Sequence, residues 1–189
     1  MSSTNRSNAR DLHISDYYVT PIASIKEFIS AQTQIDFIDK TILDPCAGGD
    51  TINKMSYPEV LKDYSSRVIT SDIREDSLAV HTVDYLEWDV SETKIDIIIT
   101  NPPFNIASEI IEKALRDVTV GGYVVMLLRL NFFGSQKRKP FFDAYPPLAC
   151  YVHNKRMKFT NTNGTDSIEY MHCIWQKGVK PDFTMLRVI

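Results

Sequence analysis

The sequence predicts an α/β fold: a seven-stranded, mostly parallel, Rossmann-like sheet with helices on both faces and a C-terminal antiparallel β-hairpin. Three observations predict it. Short apolar runs alternate with helix-period stretches, the pattern of a parallel sheet covered by crossover helices. Two of the runs, KIDIIITN (94–101) and YVVMLLRL (123–130), are apolar on both faces, as buried parallel strands are. Near the end, two strand-like stretches enclose a polar loop containing Gly164.

The elements follow in order. Ile22, Ile25, Phe28, Ile29, Ile35 and Phe37 approximate a helical stripe over 22–38, with Pro21 just before it and Thr20 as its cap. TILDPC (41–46) is a strand broken by Pro45 and Gly48-Gly49. RVITSDI (67–73) is the second strand and HTVDYL (81–86) the third. The fourth, 94–101, is stopped by Pro102 and Pro103. A helix over 106–118 presents Ile106, Ile110, Ile111, Ala114 and Leu115, and Gly121-Gly122 ends that unit. The fifth strand is 123–130, and 131–147 is irregular with a short helical piece. ACYVHNKRMKF (149–159) and SIEYMHCIWQKG (167–178) form the closing hairpin around 160–166.

Composition sets outer limits. The chain has 189 residues, 43% hydrophobic and 24% charged, which suits one packed domain over 16–189 after a flexible N-terminal segment, 1–15. No apolar run reaches membrane-spanning length and the polar start is not a secretory signal, so a cytoplasmic protein is expected. Cys46, Cys150 and Cys173 form no CxxC pair and read as reduced thiols. His13, His81, His153 and His172 lack metal-ligand spacing, so no metal is expected, and they read as surface or core residues. The net charge of −3 means that any nucleic-acid binding must use local basic patches. Lys137, Arg138 and Lys139 form one such cluster, and Lys155 and Arg156 another.

The chemistry gathers at strand ends, where open parallel sheets bind ligands. In DPCAGGD (44–50) a strand runs into glycines, which lets the backbone approach a ligand. Asp72 ends the next strand, where dinucleotide folds place a ribose-binding acid. The run ITNPPF (99–104) is the most specific. The Asn101 side chain and the Pro102 backbone offer two carbonyls for the two hydrogens of an –NH₂ group. Pro102 and Pro103 fix their directions, and Phe104 supplies a stacking face for a planar base.

Together YYVTP (17–21), DPCAGGD (44–50), TSDI (70–73), VDYLEWD (83–89) and TNPPF (100–104) resemble the class I, S-adenosylmethionine-dependent N6-adenine methyltransferases. The tail KFTNTNGTDSIEYMHCIWQKG (158–178) resembles the closing segment of small phage and prophage DNA adenine methyltransferases. The likeness extends over nearly all of the chain beyond residue 16. It implies S-adenosylmethionine as cofactor. Tyr18, Thr20 and Pro21 would border its methionine end, with Asp44 reaching the amino group through water and Ala47 and Gly48 lining it. Asp72 would bind the ribose hydroxyls, with Ile73 against the adenine ring. Asp84 would accept from the cofactor's adenine amine, beside Tyr85. Asn101, Pro102, Pro103 and Phe104 would hold the target adenine, and Phe159 would be the second stacking face. Where the family pattern has Gly, this chain has Asp50.

The implied reaction is methyl transfer to the N6 amine of adenine in nucleic acid, DNA ahead of RNA, in a bacterium or phage-infected host. The chain leaves no room after this core for a separate recognition domain, so low sequence selectivity is expected. A homodimer or a partner subunit is compatible with these features. Three other readings share the motif: an RNA adenine methyltransferase, a methyltransferase of protein glutamine, and a non-catalytic partner subunit.

Overall fold

The computed structural model describes residues 17–159 and 167–189; the expected N-terminal segment and the loop 160–166 lie outside these. The elements are α1 (Ile22–Ala31), β1 (Ile42–Asp44), α2 (Ser56–Leu61), β2 (Val68–Asp72), β3 (His81–Thr82), β4 (Ile95–Thr100), α3 (Ala107–Asp117), β5 (Val118–Arg129), α4 (Lys139–Ala144), β6 (Ala149–Val152), β7 (Tyr170–Gln176) and β8 (Met185–Val188). They form one eight-stranded sheet in the order β3-β2-β1-β4-β5-β7-β6-β8. Every neighbouring pair is parallel except those made by β7, which runs antiparallel to both β5 and β6. The expected hairpin is therefore present, with Tyr151 opposite His172.

Alternation along the strands sends side chains to two cores. Ile97 and Ile99 of β4 and Val125 of β5 pack with Ile25, Phe28 and Ile29 of α1 and Val60 and Leu61 of α2. Ile98, Val124, Met126 and Leu128 face the other way, against Ile110, Ile111 and Ala114 of α3. Both faces being covered explains the unbroken apolar character of β4 and β5.

Five expectations are corrected. The sheet has an eighth strand, β8, whose four residues are all exposed, so no buried periodicity marks it. The first helix stops at Ala31, not 38. Gln32 turns its side chain back, Oε1 accepting from the N–H groups of Gln34 and Ile35 while Nε2 donates to the Ile35 carbonyl. Ile35 and Phe37 are still buried, from irregular chain. Thr20 does not cap this helix, whose first turn lacks a side-chain cap. The strand expected over 149–159 ends at Val152, yet Met157 and Phe159 remain buried beyond it. Gly121, at φ +81°, and Gly122 lie inside β5 and do not end a unit.

Two placements were invisible in the sequence. Cys150 and Cys173 sit opposite each other on β6 and β7 with their sulfurs 3.0 Å apart, both as free thiols. His153 and His172 are buried and bonded to each other. Trp175 is core, and Trp88 packs half-buried against it.

Candidate active site

Because β1, β2 and β4 are parallel neighbours, their carboxyl ends open on one edge. A cavity of about 360 Å³ lies there. Its walls include Tyr18, Thr20, Ala47, Gly48, Asp72, Ile73, Asp84, Tyr85, Asn101 and Pro103, which are ten of the expected site residues. Pro21, Asp44, Pro102 and Phe104 are not on the wall, and neither are Phe159 and the two basic clusters.

The glycine loop forms the floor. Gly48 and Gly49 take φ of +63° and +77°, which glycine adopts without strain. A Cβ on Gly48 would stand 2.5 Å from the Tyr17 ring. The Gly48 N–H donates to Oδ2 of Asp72 over 2.8 Å, and the Ala47 N–H donates to the Ser71 carbonyl. Asp50, the departure from the family pattern, closes the loop. Its Oδ1 accepts from the N–H groups of Ile52 and Asn53, and both its oxygens take the Asn53 side-chain amide. Those bonds, the Asn53 side chain first, hold its carboxyl at about 2. Asp50 acts as a loop staple, a role that a glycine could not fill.

Asp72 is buried, and its Oδ1 also accepts from the Arg74 N–H. Asp84 is exposed and accepts from the Leu86 N–H. Tyr85 is buried and donates to Asp117 over 2.7 Å, which ties this wall to α3. Asp44 stands fully buried behind the cavity. Burial pushes its carboxyl up to about 7, against the opposing effects of the Thr100 hydroxyl and the Cys46 N–H. Among the described residues its Oδ2 has no hydrogen-bond partner, Thr100 lying close without completing a bond.

Asn101 sits just past the end of β4. Its Nδ2 donates to the Tyr18 backbone carbonyl over 3.2 Å. A carbonyl can receive only a donor, so this bond fixes the amide orientation. Oδ1 is left buried, with no hydrogen-bond partner among the described residues. A buried carbonyl left without a partner costs free energy, which a ligand donor would recover.

Beside it is an aromatic nest. The Tyr18 and Phe104 rings stand 6.4 Å apart at an interplanar angle of 30°. Tyr170 lies 5.8 Å from Phe104, and Phe159 lies 5.2 Å from Tyr18. Phe159 is buried with Leu127, Met157 and Tyr170, so Tyr18 is the ring stacked toward Phe104. The Arg129 guanidinium covers Phe104 at 4.3 Å, with Nε and Nη2 buried and unpartnered among the described residues.

Both basic clusters leave the sheet at this same edge, since β5 and β6 point the same way. Lys137, Lys139, Lys155 and Arg156 are exposed. Arg138 is committed internally, donating to the Phe132 carbonyl and lying over its ring, while Lys139 pairs with Asp143.

Solved structures with the same arrangement of elements share little sequence with the chain. A Listeria monocytogenes protein assigned to the class I S-adenosylmethionine-dependent methyltransferases superposes with a TM-score of 0.64 at 19% identity, over 95% of this chain and 68% of its own. The fold is that of the class I methyltransferases. The methyltransferase subunit of a type I restriction-modification system of Streptococcus thermophilus gives 0.64 at 15% identity, over 90% of this chain and 47% of its own. An S-adenosylmethionine-dependent O-methyltransferase of Thermotoga maritima gives 0.59 at 12% identity, over 92% and 72%. The chain thus spans about two thirds of the first of these proteins and about half of the second. No protein-family model and no curated protein sequence matches the chain.

Sequence reasoning missed Tyr17, Ser56, Tyr57 and Arg74 on the cavity wall. Ser56 and Tyr57 belong to a six-residue helix too short to show a period. Arg74 had one available signal, its position two residues after Asp72. Arg129 had another, as the single charge closing a strand that is otherwise apolar from Tyr123 to Leu128.

Proposed function

We propose that the protein transfers the methyl group of S-adenosylmethionine to the N6 amine of adenine in nucleic acid, with DNA as the preferred substrate. The observation that carries this is Asn101 Oδ1, a buried acceptor whose direction is fixed by the bond from Nδ2 to Tyr18. An acceptor in that position, followed by Pro102, Pro103 and Phe104, suits an amine attached to a flat ring. The neighbours' fold is shared by restriction-modification and O-methyltransferase proteins alike, so the substrate assignment rests on these residues.

The cavity fits the cofactor. Its volume is in the range of small-molecule sites. Asp72 keeps lone pairs on both oxygens for ribose hydroxyls, and Ile73, Asp84 and Tyr85 would take the adenine. Gly48 leaves room for the Tyr17 ring, which a Cβ there would meet at 2.5 Å. Tyr18 and Thr20 border the methionine end, with Ala47 beside them and Pro21 and Asp44 off the wall. When bound, S-adenosylmethionine supplies an electrophilic methyl group whose departure leaves a neutral thioether.

The protein's own residues position and polarise the acceptor. The adenine amine is a poor nucleophile because its lone pair is delocalised into the ring. Asn101 Oδ1 and the Pro102 carbonyl accept its two hydrogens, which favours a pyramidal nitrogen and raises lone-pair density. Phe104 and Tyr18 hold the flipped base between them, with Phe159 backing Tyr18. Lys137, Lys139, Lys155 and Arg156 contact phosphates, and Arg138 shapes the loop that carries its neighbours. No side chain need take a proton before attack, because the excess proton leaves the methylated amine to water.

The test is an acceptor panel. The protein is incubated with methyl-labelled S-adenosylmethionine and DNA, RNA or peptide, and the labelled product is identified by mass spectrometry. N6-methyladenine in DNA is expected. Label confined to RNA adenine or to glutamine would replace this reading with one of the others.

A further inference from the structure

A chain of buried hydrogen bonds runs from the surface to the cavity. Oε2 of Glu27, on the exposed side of α1, lies 3.3 Å from Nδ1 of His153. His153 Nε2 lies 2.8 Å from Nδ1 of His172. His172 Nε2 lies 2.9 Å from the Tyr57 hydroxyl. Tyr57 and Thr20 both line the cavity, with the Thr20 hydroxyl close to the Tyr57 oxygen. Phe28 stacks on the His172 ring at 4.3 Å and 14°, which locks its orientation.

The direction of this chain can be worked out from its surface end. A carboxylate only accepts, so His153 must donate through Nδ1. A neutral imidazole has one donor, so His153 Nε2 accepts, and His172 donates to it through Nδ1. His172 Nε2 then accepts, and Tyr57 must donate its hydroxyl proton inward. Burial keeps both rings neutral by lowering their proton affinity, and it pushes the Tyr57 phenol up so that it keeps its proton. With that proton committed, the Tyr57 oxygen can only accept on its other side. The nearby Thr20 hydroxyl is the donor at hand, and on the cavity wall its own lone pairs then serve as acceptors.

We propose that Glu27, His153 and His172 act as positioning residues that fix the Tyr57–Thr20 hydroxyl pair as a hydrogen-bond acceptor, and that this pair takes the ammonium of the bound cofactor's amino-acid end. The inference rests on the cofactor reading above. It gives that end a wall acceptor, which Asp44, buried behind the cavity, does not provide. A pair polarised this way favours an ammonium over a carboxylate. Reversal of any one tautomer would invert that preference.

Two measurements on the full chain test it. At pH 8, nitrogen NMR of ¹⁵N-histidine-labelled protein reads the tautomers directly. His153 and His172 should both carry their proton on Nδ1, and Glu27→Ala should mix the tautomers while Glu27→Gln, which keeps an acceptor, restores them. A proton on His172 Nε2 in the unsubstituted protein would overturn the proposal. Calorimetry then compares S-adenosylhomocysteine, its analogue lacking the amine, and 5′-methylthioadenosine, which lacks the amino-acid part. Loss of the amine should weaken binding about tenfold in the unsubstituted protein. That difference should vanish in Tyr57→Phe and shrink in Glu27→Ala. If 5′-methylthioadenosine does not bind at all, the cofactor reading fails and takes the ammonium assignment with it. If it binds but the amine makes no difference, this inference alone fails.

Discussion

The Gly48 N–H and Asp72 Oδ2 are joined across 2.8 Å, which ties the tip of the glycine loop to the end of the neighbouring strand. One carboxylate thereby shapes the loop and stands ready for a ligand. Asp72→Ala should weaken cofactor binding about ten- to hundred-fold, from the loss of a charged acceptor for hydroxyls. Turnover at saturating cofactor should change far less. Calorimetry together with saturation kinetics separates the two, and unchanged affinity would remove Asp72 from the site.

Asp44 is held at about 7, far above the ordinary carboxylate, by burial. Its folded pKa exceeds its unfolded one, so ionising it in the folded protein costs stability. The cost is absent below about pH 4, grows as pH rises toward 7, and is constant above. Asp44→Asn should therefore be neutral or worse at pH 4 and increasingly stabilising toward pH 8, by on the order of 4 kcal/mol. Denaturation across that range gives the slope. Cofactor affinity of the unsubstituted protein should rise with pH up to about 7, since a cationic ligand prefers the ionised Asp44. A stability difference that does not vary with pH would show that Asp44 is ionised throughout.

The basic clusters predict a salt response. Binding of a short single-stranded DNA should weaken linearly in log–log form, with a slope of about −0.7 per phosphate contacted. Lys155→Ala with Arg156→Ala, at exposed positions, should flatten that slope without lowering the melting temperature. Arg138→Ala should instead loosen the fold locally, because Arg138 is bonded to the Phe132 carbonyl. A slope left unchanged by the Lys155 and Arg156 substitutions would mean that these residues point to solvent only.

How legible this protein is depends on whether a feature leaves a local signature. β4 and β5 were legible because burial on both faces demands an unbroken apolar run. The glycine loop and Asn101 to Phe104 were legible because positive φ and rigid carbonyl placement demand particular residue types. β8 was not, since an exposed strand carries no burial pattern. The end of α1 was not, because Gln32 replaces helical bonds with side-chain ones. The path from Glu27 to Tyr57 joins α1, the residue after β6, β7 and α2, which meet only in three dimensions. Asp50 departs from the pattern of the family that the sequence resembles, and its bonds to Ile52 and Asn53 became visible only with the loop in place.

The proposed action of Asn101 on an adenine amine is tested by single-turnover methylation of an adenine-containing oligonucleotide by Asn101→Ala. Loss of one acceptor that strengthens in the transition state should slow N6-methyladenine formation roughly 10²–10³-fold, with cofactor affinity nearly unchanged. Phe104→Ala serves as the contrast: stacking contributes about 1–3 kcal/mol to holding the base, so KM should rise as well, and Phe104→Tyr or Phe104→Trp should recover much of the loss. Near-normal turnover by Asn101→Ala would mean that Asn101 does not act on the amine.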